Sequence, residues 1–169
     1  MKHYTVKDLT QIALVAALYV VLTITPPLNA ISYGAYQFRV SEILNFTAFY
    51  NPKYLWSVTI GCMIANLYSF GWIDVFVGGG STLLFVGLGI LFFRKYMKVT
   101  LLGGMTNLAF ILFSFFFAAS MFTVALELHL LQGLPFFLTW FTTGVGELAS
   151  LLVGALLMPY VAKFINFEE

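Results

Sequence analysis

Apolar residues run through this chain in blocks rather than in alternation, and the breaks between blocks set its organisation. The first block, residues 9–24, ends at Pro26 and Pro27, whose missing N–H groups cannot continue a helix. Residues 31–37 read as a loop. Residues 40–50 form a second, shorter helical stretch that opens beside Arg39 and Glu42 and stops at Asn51 and Pro52. It is too short to cross a hydrocarbon core of about 30 Å as a regular helix, which takes about 20 residues. Its start is therefore expected in a protein-lined cavity, where such departures are tolerated. Further apolar blocks follow at 54–70, 74–93, 99–126 and 134–165, the last two long enough to tilt or to project from a membrane. The pattern predicts an all-α integral membrane protein with six transmembrane helices, the second of them short, forming a single domain over residues 1–169.

Composition supports lipid as the solvent. The chain is 61% hydrophobic and 9% charged, whereas an ordinary soluble domain carries roughly 25% charged residues. Eight basic and seven acidic residues could not cover the outside of a soluble fold of this size. Lys2 and Lys7 before the first block would suit a signal peptide, but the run leads into a Pro pair without a small-residue cleavage site, and five more apolar blocks follow. The first block is therefore expected to stay as a helix. With the N-terminus inside, Lys2, Lys7, Lys53, Arg94, Lys95, Lys98 and Lys163 all fall on the cytoplasmic side and only Arg39 falls outside, so both termini are predicted to be cytoplasmic. A net charge of +1 offers no field for nucleic acid. Cys62, the single cysteine, permits no intrachain disulfide and no multi-cysteine metal site, and is expected as a small buried residue. The Phe-rich stretch 113–117 is expected to face lipid.

Polar residues inside the spans carry the chemistry, because a charge at the bilayer centre costs about 2.5 to 3.5 kcal/mol and needs a partner or a wet cavity. At about 1.5 Å per residue, Glu147 lies roughly 20 Å along the last helix from Pro135, near mid-depth. Phe136, Trp140, Thr143, Glu147 and Ser150 recur at three- or four-residue steps and share one face. An aromatic plane, a hydroxyl and a carboxylate on one face suit a flat, nitrogen-rich ligand that stacks on the ring and donates N–H groups to the acid. The other reading of Glu147 is a bond to a neighbouring helix. Arg39 and Glu42, three apart, can pair on the second helix, for structure or for a ligand. Asn66 and Asn107 can bond a ligand or join helices. Asp74 opens the fourth helix, where it can cap a free N–H or face a ligand. Glu127 and His129 are expected on a solvated outer loop. The run Gly78, Gly79, Gly80, Ser81, Thr82 resembles a phosphate loop but lacks its Lys and lies within a span, so close helix packing is its expected role. No metal-ligand cluster and no Ser/His/Asp or Cys/His set points to catalysis, and neither a cofactor nor a metal is implied. Ala13 and Ala17, with Ala16 beside them, give the first helix a small-residue face that admits a partner helix or serves internal packing.

Taken in order, these motifs resemble the QueT group of energy-coupling-factor (ECF) transporter substrate-binding subunits. The matching residues are Arg39, Ser41 and Glu42 in Q-F-R-V-S-E; Gly61, Cys62, Ala65 and Asn66 in G-C-M-I-A-N; Asp74, Gly78 and Thr82; and Gly144, Gly146 and Glu147 in G-V-G-E, followed by Gly154 and Pro159. The resemblance covers nearly the whole chain, and the stretch after Asn107 is richer in Phe than the family pattern. It implies an importer in the bacterial plasma membrane for queuosine precursors, 7-deazaguanines bearing an aminomethyl or cyano group. It also implies a shared transmembrane coupling subunit and two ATP-hydrolysing subunits as partners, with Ala13 and Ala17 on the contact helix and a loaded subunit that tips in the membrane. The candidate substrate-binding residues are Glu147, Trp140, Thr143, Arg39, Glu42, Asn66 and Asp74. A guanine-like edge offers adjacent N–H donors to one carboxylate, and an aminomethyl cation would favour a second acid such as Glu42 or Asp74. Another vitamin-like ligand, a stand-alone secondary transporter and a membrane enzyme using Glu147 as acid or base are the alternatives.

Overall fold

Thr5 starts the first helix. Its hydroxyl accepts from the Asp8 N–H while the Asp8 carboxylate accepts from the Thr5 N–H, a reciprocal cap that begins α1 (Val6–Ile24) at Val6 rather than at the expected Leu9. This computed structural model describes residues 4–34, 36–69 and 71–168, so Lys2 and the expected Phe70 end of the third block lie outside the described residues. The proline pair that ends α1 also opens α2 (Pro26–Ser32), because a first helical turn has no use for the missing N–H groups. The expected loop therefore begins only at Tyr33. Residues Val40–Phe46 form a 3-10 helix that runs into the single turn α3 (Thr47–Tyr50). Its rise of about 2.0 Å per residue stretches a short segment further than an α-helix would.

After α4 (Tyr54–Ser69) and α5 (Trp72–Phe93) comes the main departure from expectation. The block 99–126 is not one helix. Strands β1 (Thr100–Leu101) and β2 (Thr106–Asn107) pair antiparallel. The turn between them is made by Gly103 and Gly104 at φ of +66° and +92°, a conformation that suits glycine. Asn107 then caps α6 (Leu108–Ala119) by accepting from the Phe110 N–H at 3.0 Å. A break at Ser120, whose hydroxyl donates to the Phe117 carbonyl at 2.6 Å, separates α6 from α7 (Phe122–Gln132). Gly133 at φ +70° ends α7, and α8 (Phe136–Val161) follows. Glu127 and His129, expected on a solvated loop, therefore lie in α7, and Glu127 is buried. The loop shrinks to a tight turn that His129 Nδ1 fastens to the Leu134 carbonyl at 2.6 Å. Among the described residues, four helical stretches are long and apolar enough to cross a membrane: Val6–Ile24, Trp72–Tyr96, Leu108–Gln132 and Phe136–Val161. Tyr54–Tyr68 is apolar but shorter.

Small residues bring the helices together. α1 meets α4 where a Cβ on Gly61 would lie 2.7 Å from the Tyr19 Cβ, and α4 meets α5 where a Cβ on Gly78 or Gly79 would overlap Asn66 or Met63. Ala16 is buried in the α1 contact, whereas Ala13 and Ala17 face outward, so the small-residue face of α1 is divided between an internal and an exposed use. The 3-10 helix, α6 and α7 pack on α8. Between them Phe46, Phe49, Phe110 and Phe113 form a ring layer, with the Phe46 centroid 4.4 Å from Phe110 and 5.6 Å from Phe113. The stretch expected in lipid is thus split: the three- and four-residue steps from Phe110 to Phe113 and Phe117 put those rings inside, while Phe115 is 56% exposed. Polar bonds gather one end of the bundle. Lys53 Nζ donates to Asp8 at 2.7 Å and to Gln11 at 2.6 Å, Arg94 donates to the Tyr50 carbonyl at 3.0 Å, and Asn51 donates to the Glu168 carbonyl at 3.3 Å. Phe167 packs there against Tyr50 and Tyr54.

Candidate functional site

On the other side of the ring layer the interior turns polar. Glu42 projects from the 3-10 helix, Asp74 from α5, Glu127 from α7 and Glu147 from α8, all buried, and Arg39 lies within electrostatic range of all four. Glu42 is held by the protein: one oxygen accepts from the Tyr19 hydroxyl and the other from Asn45 Nδ2 at 2.5 Å. Arg39 donates through Nε to the Ser32 carbonyl at 3.4 Å, sits 4.9 Å from the Tyr33 ring centre, and is tied to α8 by its own N–H to Ser150 Oγ at 2.9 Å. The remaining acids differ. Glu147 Oε1 is buried without a hydrogen-bond partner, as are Gln37 Oε1 and Asn45 Oδ1, whereas Asp74 and Glu127, each with one oxygen unpartnered, hydrogen-bond each other through their side chains. Each unpaired buried acceptor costs about 1–3 kcal/mol, so their gathering in this region makes it the candidate for a donor from elsewhere.

Three neighbouring cavities with shared lining residues adjoin these groups. A vestibule of about 380 Å³ is lined by Tyr33, Gln37, Thr139, Thr142 and Thr143 among others. It shares Gln37, Leu128 and Gln132 with a chamber of about 60 Å³ that Arg39, Asp74 and Glu127 also line. That chamber shares Arg39 and Val124 with a crevice of about 20 Å³ walled by Glu42, Cys62, Thr82, Phe117 and Glu147. The backbone before Arg39 lies across α8 at Gly146, where a Cβ would overlap the Tyr36 carbonyl oxygen. Only glycine admits that approach. Gln37 is held there at φ +41°, a left-handed conformation costing a non-glycine residue about 1–2 kcal/mol, and its side chain is 5% exposed.

The sequence matches the QueT transporter family over residues 9–163. The chain belongs to that family. Over 169 residues, all of both chains, it is 54% identical to the queuosine precursor transporter QueT of Lactococcus lactis subsp. cremoris strain MG1363. No solved structure matches it. A QueT-family transporter with this many apolar helices is a multi-pass membrane protein.

Seen as parts of a QueT-family transporter, the residues singled out from sequence separate. Glu147, Arg39 and Glu42 meet at the crevice, and Asp74 lines the adjoining chamber. Arg39 and Glu42 do not hydrogen-bond as a helical pair, because Arg39 precedes the 3-10 helix in extended backbone (φ −105°, ψ 107°) and turns back toward Tyr33. Asp74 is not a cap: α5 starts at Trp72, with no side-chain capping bond, and Asp74 points inward. Asn66 serves the scaffold, donating to the Asp74 carbonyl at 3.2 Å and so fixing the acid's backbone. Thr143 lines the vestibule, its hydroxyl given to the Thr139 carbonyl at 2.8 Å. Trp140 stands apart. Its indole N–H donates at 3.0 Å to Ala119, a carbonyl left free where α6 ends, and its ring lines a separate apolar groove with Phe137, Phe141 and Val145. The aromatic beside the charged cluster is Tyr33 instead. Gln37 and Tyr33 have no place in the sequence reading and Glu127 is expected there on a solvated loop, although Ser120, Thr123 and Glu127 recur at helical steps through an apolar run and mark a polar stripe.

Proposed function

We propose that this QueT-family chain is the substrate-binding subunit of an ECF importer and takes a queuosine precursor, a 7-deazaguanine such as 7-aminomethyl-7-deazaguanine, from outside the cell. The observation that carries the reading is the Glu147 carboxylate, 1% exposed, with Oε1 unpartnered beside the crevice. Adjacent N–H donors on a guanine-like edge would supply the missing bonds. A vestibule of about 380 Å³ is of the size that small-molecule sites use, roughly 300–1,000 Å³. Arg39 and Glu42 hold the far wall of the crevice in this reading, and Asp74 and Thr143 border the path to it.

The topology we propose has six spans, with residues 40–50 as the short second one, and both termini in the cytoplasm. Lys53, Arg94 and the C-terminal residues share one end of the bundle, away from Arg39, as cytoplasmic retention of basic residues requires. The vestibule then opens outward. ATP hydrolysis comes from two partner subunits through a coupling subunit docked on α1, where Ala13 and Ala17 lie exposed and close helix approach is possible. The test is mass spectrometry of small molecules carried through purification, joined to uptake assays with and without the ATP-hydrolysing partners. A co-purified 7-deazaguanine and uptake that stops without the partners are expected. Uptake that persists without them would replace the ECF reading by a stand-alone transporter.

A further inference from the structure

The crevice beside Glu147 has a volume of about 20 Å³, room for about one or two water molecules and far too little for the fused rings of a 7-deazaguanine. A ligand that reaches the Glu147 carboxylate therefore has to part the walls. Most of them are tied down. The 3-10 helix is held by Tyr19 and Asn45 on Glu42, by a 2.7 Å bond between Thr23 Oγ1 and Ser41 Oγ, and by the Arg39 N–H on Ser150. α5 lies against α4 so closely that a Cβ on Gly78 or Gly79 would overlap Asn66 or Met63, and Gly154 brings α8 equally close to Ile43 and Phe46. α7 is held differently. It runs between the break at Ser120 and the left-handed Gly133, and its side chains line all three cavities: Thr123 and Val124 the crevice, Glu127 and Leu131 the chamber, Leu128 and Gln132 the vestibule. Polar bonds fasten it to α5, between Ser81 Oγ and Thr123 Oγ1 at 2.9 Å and between the Asp74 and Glu127 side chains. Thr123 gives its own hydroxyl proton to the Ser120 carbonyl at 3.0 Å, so Ser81 is the donor across the gap.

We propose that α7 is a lid over the ligand site, hinged at Ser120 and latched to α5 by the Ser81–Thr123 bond. The regular ladder of α6 gives out at the hinge: the Ser120 N–H is shared between the Phe116 and Phe117 carbonyls, and the Met121 N–H turns to Ala118 at 3.3 Å. Rotation about Ser120 and Met121 swings α7 while α6 and its ring layer stay in place. At the far end Gly133, at φ +70° with open space around its Cα, takes up the change in direction. Because α7 is a wall of every cavity, one swing widens the crevice and opens it toward the vestibule. The closed form is the resting one, and the ligand captures an open minority, so opening limits how fast it binds.

This inference rests on the reading of Glu147 as the ligand's acid and states how the ligand comes to it. The test is a reversible lock, Ser81→Cys with Thr123→Cys in a full-length Cys62→Ala chain, which removes the competing thiol of the same crevice. Hydroxyl oxygens 2.9 Å apart put the two thiols within reach of a disulfide. The purified chain is titrated with 7-aminomethyl-7-deazaguanine when oxidised and again after reduction, so that one molecule is its own control. Oxidation is expected to weaken or slow binding by at least roughly tenfold, and reduction to restore it. Equal binding by the two forms overturns the lid and leaves the 7-deazaguanine reading intact. Ser81→Ala removes the latch without a cross-link and is expected to speed association roughly twofold to tenfold, the worth of one hydrogen bond. A bond with a structural role alone would lower the melting temperature and leave the association rate unchanged, which also overturns the lid. Should the double-cysteine chain fail to fold or to oxidise, the Ser81→Ala association rate decides. Failure of the native chain to bind the compound overturns both the lid and the reading beneath it.

Discussion

Glu147→Gln separates a ligand-binding acid from a structural one because the two roles predict opposite changes. In the ligand-free fold Glu147 Oε1 has no partner, and the carboxylate is opposed by Glu42 and favoured by Arg39. Gln keeps the shape, removes a buried charge together with both its repulsion from Glu42 and its attraction to Arg39, and leaves no protein hydrogen bond broken at Oε1, so thermal stability should hold or rise. Binding should suffer. A ligand N–H that met a carboxylate oxygen loses a charge-assisted bond, worth about 1.5–3 kcal/mol, and an amide N–H facing a ligand N–H adds an unpaired polar group. Together these amount to about 2–4 kcal/mol, or roughly a thirtyfold to thousandfold rise in Kd at 1.4 kcal/mol per tenfold. The assay is a titration of detergent-purified, folded variant with 7-aminomethyl-7-deazaguanine beside its thermal unfolding curve. Near-native affinity together with a lowered melting temperature would show Glu147 to be a helix-joining residue and refute the site.

Four further outcomes are expected. Gly146→Ala should cost about 1–3 kcal/mol in thermal unfolding, the range for overpacking, since its Cβ meets the Tyr36 carbonyl; Gly80→Ala, with nothing within 4 Å, should cost nothing, and equal losses would deny the close approach. Leu at both Ala13 and Ala17 should abolish uptake but spare ligand binding, whereas surviving uptake would remove α1 as the docking helix. Phe113→Ala should destabilise by about 3–5 kcal/mol and Phe115→Ala far less, and equal effects would contradict the inward ring layer. Reporters at both termini should label as cytoplasmic and one near Ser32 as external; termini on opposite sides would exclude six spans.

What was legible in the sequence was set by signals that need no partner. Prolines at 26 and 27, caps and apolar length give helix identity, and a carboxylate in the middle of an apolar helix announces itself wherever the other helices lie. Thr5 and Asp8 form a local capping signature that was there to be read and was overlooked. The division of 99–126 was harder, because its hairpin and break depend on Gly103, Gly104 and Ser120, whose composition also occurs inside membrane helices. Burial of Glu127 and the fate of Trp140 depend on neighbours. Glu127 lies in the interior facing Asp74 of α5, to which it hydrogen-bonds, and the Trp140 indole is turned to a carbonyl at the end of α6. Gln37 carried no sequence signal at all: its position follows from the missing side chain of Gly146, more than a hundred residues later.

The ring layer makes this chain a cup with a solid floor. Phe117, a wall of the innermost crevice, stands 5.4 Å from Phe113, which interlocks with Phe46 and Phe49, and these with Phe110. Each ring is wedged at an angle against the next, so a passage toward the Lys53 end would need several buried rings to swing aside together. On the import reading proposed above, cargo that enters past Tyr33 leaves by the same mouth. On that reading, the side of the membrane that receives it is decided by where the mouth points, and the proposed ATP-driven partners would turn the vessel rather than open its base.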